Sequence, residues 1–225
     1  MIPLRDNLRP GRFPIINISL IVLNAVIFVY QSAMGREETF LLFMQYGVIP
    51  LRFFELSTDI VTAELYLPFI TSIFLHGSWF HLLSNMLYLW VFGDNVEDRL
   101  GHAGYLLFYL AAGVAASLAH VFTEPASPVP VIGASGAIAG VLGSYFIFYP
   151  RARILTLIPI GFFITTARIS AKFFLIFWFF LQIFNAFLLV GGSAQTVAWW
   201  AHIGGFVFGA AAGALFLLWK RVGAF

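Results

Sequence analysis

A serine and a histidine, the pair most often used for nucleophilic attack on a carbonyl, both occur in this chain within apolar runs and beside small residues. Ser135 sits in Gly133-Ala-Ser135-Gly136, and His202 in Ala201-His202-Ile-Gly-Gly205-Phe-Val-Phe-Gly209. A serine hydroxyl is a poor nucleophile until a base takes its proton, and an imidazole titrating near neutrality is the usual partner. A third group, His76-Gly-Ser-Trp-Phe-His81-Leu-Leu-Ser-Asn85, sets His81 and Asn85 four apart on one helical face, with Ser78 as a suitable N-cap. The Asn85 amide, the His81 ring N–H and the backbone N–H of Ser135 at a helix start are suitable donors to an oxyanion. Residues 125–225 contain no Asp or Glu, so these residues would form a Ser–His dyad without the carboxylate that orients the histidine in many serine hydrolases. Taken singly, each group has a plainer reading. His81 and Asn85 can bond neighbouring helices, Ser135 can be an ordinary N-cap, and His202 can be a bystander on a packing face.

Other chemistries lack their residues. There is no H-E-x-x-H for a zincin and no Cys for a thiol nucleophile or thiolate site. The spans carry no carboxylate pair for aspartyl proteolysis and no acid to complete a metal site with His76, His81 and His202. Neither a metal nor a cofactor is expected. A net charge of +2 leaves no basic field for nucleic acid.

The elements that must position these residues are membrane spans. With 61% hydrophobic and 10% charged residues, the chain is far more apolar than a soluble domain at about 45–50% and about 25%. Six segments are expected to cross: 15–34, 78–93 with an apolar lead-in from 67, 104–122, 135–149, 173–190 and 199–219. The first follows Arg5, Arg9 and Arg12 and, at 20 residues, is too long for a secretory h-region, so it is expected to be retained as a span. The run Ile154 to Ala167, with Pro159 and Gly161 inside it and basic residues at both ends, is expected to be interfacial or re-entrant. Phe40–Leu56 is a candidate amphipathic element at the outer leaflet. The acids fall outside the spans: Glu37, Glu38, Glu55, Asp59, Glu64 and Glu124 on the outer side, Asp6, Asp94, Glu97 and Asp98 on the inner.

Ten of the twelve Lys and Arg lie in segments that are inside if the N-terminus is inside; Arg36 and Arg52 are the exceptions. The second, fourth and sixth spans then all run inward, and His81, Asn85, Ser135 and His202 lie near the start of theirs, at one depth. The fourth span has 15 residues, about 22 Å of helix against a hydrocarbon core of ~30 Å, so its serine lies in a recess below the outer surface. Glycines 205, 209 and 213 form a stripe that permits close helix approach, with Gly136 and Gly140 as the facing groove.

The set His76…His81-x-x-x-Asn85, Gly133-Ala-Ser135-Gly136 and Ala201-His202-x-x-Gly205-x-x-x-Gly209 resembles, in order and spacing, the rhomboid intramembrane serine proteases over residues 14–219. The resemblance implies an all-α, six-helix polytopic bundle with a short central fourth helix, as a single membrane domain over 1–225. It implies a Ser135–His202 dyad, an oxyanion hole of His81, Asn85 and the Ser135 amide, and no metal or cofactor. The implied partners are transmembrane protein substrates within the lipid bilayer. The expected location is the cell membrane, multi-pass, with both termini inside; an oligomeric state is not implied. Two positions depart from the family pattern. The aromatic often found four residues after the serine is Ala139, which shifts support of the His202 ring to Trp199 or Trp200, and Arg52-Phe53-Phe54 replaces a Trp-Arg pair in the outer loop. The other readings are a proteolytically inactive rhomboid-like protein that binds client spans, and a small transporter using the histidines as a proton relay.

Overall fold

Apolar runs free of internal proline fold as long helices in the computed structural model, which describes residues 1–56, 63–161, 163–188 and 197–222. Asp59 and the last two residues of the 173–190 run lie outside these described residues. A short strand β1 (Ile2–Arg5) precedes α1 (Ile15–Ser32). Short helices follow: α2 (Arg36–Tyr46), α3 (Pro50–Leu56), α4 (Ala63–Tyr66), α5 (Pro68–Thr71) and a 3-10 turn, Ser72–Phe74. Then come α6 (Trp79–Leu100), α7 (His102–Thr123), α8 (Ser135–Phe148), strands β2 (Arg153–Ile160) and β3 (Phe163–Ser170), α9 (Ala171–Leu188) and α10 (Trp199–Val222).

Four of these helices, α1, α7, α9 and α10, are long and apolar enough to cross a bilayer, and the chain is an integral membrane protein built as a helical bundle. The other two expected spans differ for physical reasons. Helix α6 continues seven residues past its apolar part because its terminal acids find partners. Glu97, 1% exposed, accepts from the amides of Ile16 (3.0 Å) and Asn17 (2.7 Å) and so caps the open start of α1. Asp98 accepts from Arg12 N at 3.0 Å. Helix α8 has 14 residues, roughly 21 Å. It is the centre of the bundle, with every residue from Gly136 to Tyr145 buried.

Close approach explains that burial. A Cβ placed on Gly136 or Gly140 would meet Ala116 Cβ or Ala112 Cβ of α7, while one on Gly205 or Gly209 of α10 would run into the carbonyl oxygen of Gly136 or Gly140. Ser144 on α8 donates to Gly209 O at 2.7 Å, which ties the two helices below the glycine contact. The expected groove between the fourth and sixth spans is therefore a backbone-to-backbone contact.

The run Ile154–Ala167, expected to be interfacial or re-entrant, is extended rather than helical over 154–160 and 163–167. Its alternating β-branched residues form an antiparallel hairpin, Arg153↔Ser170 to Ile160↔Phe163, turning at Gly161 with φ +59°. Strand β1 completes a three-stranded antiparallel sheet by pairing Ile2 with Leu157 and Arg5 with Leu155, a small addition to the helical bundle. At the same pole, Asp6 accepts from Tyr145 OH of α8 (2.5 Å) and Asn95 Nδ2 of α6 (3.0 Å).

The segment Phe40–Leu56 is two helices joined by a buried turn, Gly47–Pro50. Helix α2 buries none of its residues, and its apolar side chains do not gather on one face. The turn is what anchors it: Val48 and Val131 exchange backbone bonds of 3.1 and 2.8 Å, and Gly133 N donates to Ser72 O at 2.8 Å. These contacts fix the loop that leads into α8.

Candidate active site

Ser135 is the first residue of α8, so its backbone N–H has no partner within the helix. The turn before it needs Gly133, whose φ of +120° disfavours a side chain and whose Cβ position lies 2.6–2.7 Å from the His81 ring. His202 enters from the first turn of α10, and its Nε2 lies 2.8 Å from Ser135 Oγ. Both residues are half-buried at the floor of a cavity of about 1280 Å³, which His81, Asn85 and His120 also line.

The donors expected for an oxyanion converge on the same cavity. Ser78 caps α6 by accepting from His81 N at 3.1 Å. The Gly77 amide donates to His81 Nδ1 at 3.4 Å, which leaves Nε2 of that ring to carry its proton. Asn85 Nδ2 lies 3.0 Å from His76 Nε2; an amide NH2 only donates, so one of its protons goes to His76 and the other has no partner among the described residues. His76 itself, 1% exposed, stands behind Asn85 and holds its amide in place.

A family model of the rhomboid domain matches residues 63–219, which contain all of these side chains. The chain belongs to the rhomboid family. It is 36% identical over 104 residues to Rhomboid protein 1, mitochondrial, of Saccharomyces cerevisiae, covering 44% of this chain and 30% of that one. It is 49% identical over 76 residues to Rhomboid protease GluP of Bacillus subtilis (33% and 14% covered). It is 30% identical over 149 residues to the presenilin-associated rhomboid-like protein, mitochondrial, of Bos taurus (63% and 36% covered). The matched stretches thus span 14 to 36% of these relatives' lengths.

In this rhomboid the space beside His202 is filled from α9. Ala139, at the position expected to be aromatic, faces Gly205 across the helix contact. Trp178 instead lies over His202 at 6.1 Å between ring centroids and 35°, while Trp199 meets it edge-on at 5.9 Å and 90°. Trp200, the other candidate support, packs on Phe187. The sequence reading missed Trp178 and the residue one turn after it, Gln182, whose Oε1 lies 2.9 Å from His202 Nδ1. Gln182 carried a usable signal, as one of two amides, with Asn185, inside a span of otherwise apolar residues. His120 of α7, another lining residue that was missed, leaves its Nδ1 without a hydrogen-bond partner among the described residues.

Proposed function

We propose that this rhomboid is an intramembrane serine endopeptidase, with Ser135 as nucleophile and His202 as general base. The 2.8 Å contact between Ser135 Oγ and His202 Nε2, at the head of a helix too short to reach both bilayer surfaces, carries this reading. As Oγ attacks the scissile carbonyl carbon, its proton passes to Nε2, and the electron pair of the carbonyl moves onto oxygen. Asn85 Nδ2, His81 Nε2 and the Ser135 amide are the donors available to that oxyanion, and each such donor contributes roughly 2.7–4 kcal/mol to the transition state. The imidazolium then returns the proton to the departing amine, which leaves an acyl-Ser135. Water attacks the acyl carbon with His202 again as base, releases the carboxylate product and restores the hydroxyl.

The chemistry needs no metal or cofactor. The substrates in this reading are transmembrane segments of other proteins, presented from the bilayer to the cavity mouth. Residues 1–225 act as one membrane domain in the cell membrane, both termini inside, as the Lys and Arg distribution favours. The deciding experiment is treatment of the detergent-purified protein with a fluorophosphonate, followed by peptide mapping. The expected result is a single adduct on Ser135 that His202→Ala prevents. Absence of any adduct from the folded wild-type protein overturns the assignment.

A further inference from the structure

We infer that Gln182 is a positioning residue for this reaction, fixing both the tautomer and the plane of the His202 ring. The inference rests on the reading of Ser135 and His202 as nucleophile and base. Gln182 is 6% exposed on α9, with its Nε2 2.9 Å from Trp178 O and its Oε1 2.9 Å from His202 Nδ1. The backbone carbonyl of Trp178 can only accept, so the amide NH2 must face it; the reversed amide would press two oxygens together at that distance. Oε1 therefore faces the ring. It too can only accept, so Nδ1 must carry the proton. Nε2 is left with its lone pair toward Ser135 Oγ, 2.8 Å away.

A neutral imidazole without such a partner populates both tautomers, and the one protonated at Nε2 points a proton at the serine and cannot act as its base. Triads with a carboxylate solve this with a charge. In an apolar helix an unpaired carboxylate is costly, and an amide with both ends hydrogen-bonded does the orienting without that cost. Trp178 serves twice, since its carbonyl orients Gln182 and its indole lies over the ring that Gln182 holds. Two residues one turn apart on α9 thus set a base carried by α10.

The test compares wild type, Gln182→Met and Gln182→Glu in liposomes with a reconstituted substrate. Methionine keeps the volume and cannot accept; glutamate restores the acceptor toward Nδ1, keeps the bond to Trp178 O while its second oxygen carries a proton, and adds a charge once it ionises. Gln182→Met is expected to lose about 10- to 100-fold in kcat with KM changed less than about twofold. Gln182→Glu should recover most of that loss, with the acid limb of the kcat/KM profile moved by about one pH unit. Nitrogen-15 shifts of His202 should report the Nδ1–H tautomer in wild type and a mixture in Gln182→Met.

Wild-type kcat in Gln182→Met, or an unchanged tautomer there, overturns the inference. So does equal loss in both variants with an unmoved pH profile, the mark of a purely structural residue. Fluorophosphonate labelling of wild-type Ser135 runs alongside. Its failure removes the nucleophile assignment, whereas labelling with an indifferent Gln182→Met removes this inference alone.

Discussion

Adding a single methyl group at Gly205 should disable the site without touching any reacting atom. A Cβ there would run into Gly136 O and lie 3.1 Å from Gly136 C and 3.2 Å from Ala139 Cβ, whereas ordinary contact begins at 3.4 Å. The backbones of α8 and α10 must therefore part by roughly 1 Å, because neither side of the contact is a side chain that can swing away. Gly136 follows Ser135 directly and Gly205 lies one turn after His202, so the displacement passes to the 2.8 Å contact between them. At roughly 3.8 Å that contact is no longer a hydrogen bond. A misplacement of ~1 Å costs about a hundredfold, or ~2.7 kcal/mol of barrier. Gly213 on the same stripe is the internal control, since a Cβ there meets its nearest atoms at 3.3–3.4 Å. Gly213→Ala should keep kcat within about twofold. The assay is kcat on a reconstituted substrate together with Tm in detergent. If Gly205→Ala turns over at the wild-type rate, or Gly213→Ala is equally crippled, the transmission argument is wrong.

Ser135→Ala and His202→Ala should each abolish cleavage while leaving Tm within a few degrees of wild type; residual turnover by either purified variant would sink the dyad. Asn85→Ala and His81→Ala should each lower kcat by roughly a hundredfold yet still accept a fluorophosphonate on Ser135, since the donors act as charge develops. Glu97→Ala strands the amides of Ile16 and Asn17 and removes the partner of His102, so unfolding in mild denaturant should show a loss of about 2–4 kcal/mol. Burial holds the Asp6 carboxyl above its usual 3.8 despite the Tyr145 hydroxyl, so the folded chain binds that proton more tightly than the unfolded one. Stability from this group therefore falls as pH rises from about 3.8 through the raised value. Across that window the Tm of wild type should fall with rising pH relative to Asp6→Asn, and parallel curves would contradict this.

The residues that converge on the cavity were legible because each broke a rule of apolar helices on its own stretch of sequence. His81, Asn85, Ser135 and His202 are polar groups near the starts of spans, and charge counting aligned those starts. Gln182 broke the same rule, but its partners Trp178 and His202 come from α9 and α10, and nothing in the spacing says that the two helices face each other there. The hairpin was missed for a related reason. Apolarity and length place such a run at the interface or re-entrant without saying that it is a strand pair, and the strand that completes the sheet, Ile2–Arg5, lies about 150 residues earlier. The extension of α6 past Gly93 was hidden because acids normally end a span, and it takes the facing amides of α1 and the His102 ring to make Glu97 acceptable when buried.

The pairing of Ile2–Arg5 with Leu155–Leu157 also sets an order of events during synthesis. Strand β1 has no partner until α8 and β2 have been made. At 5–20 residues per second that interval is roughly 8–30 s. The start of α1 likewise stays uncapped until Glu97 appears, 81 residues after Ile16. The pole formed by this sheet and the start of α1 therefore closes late in synthesis, over a stretch of chain made long before its partners.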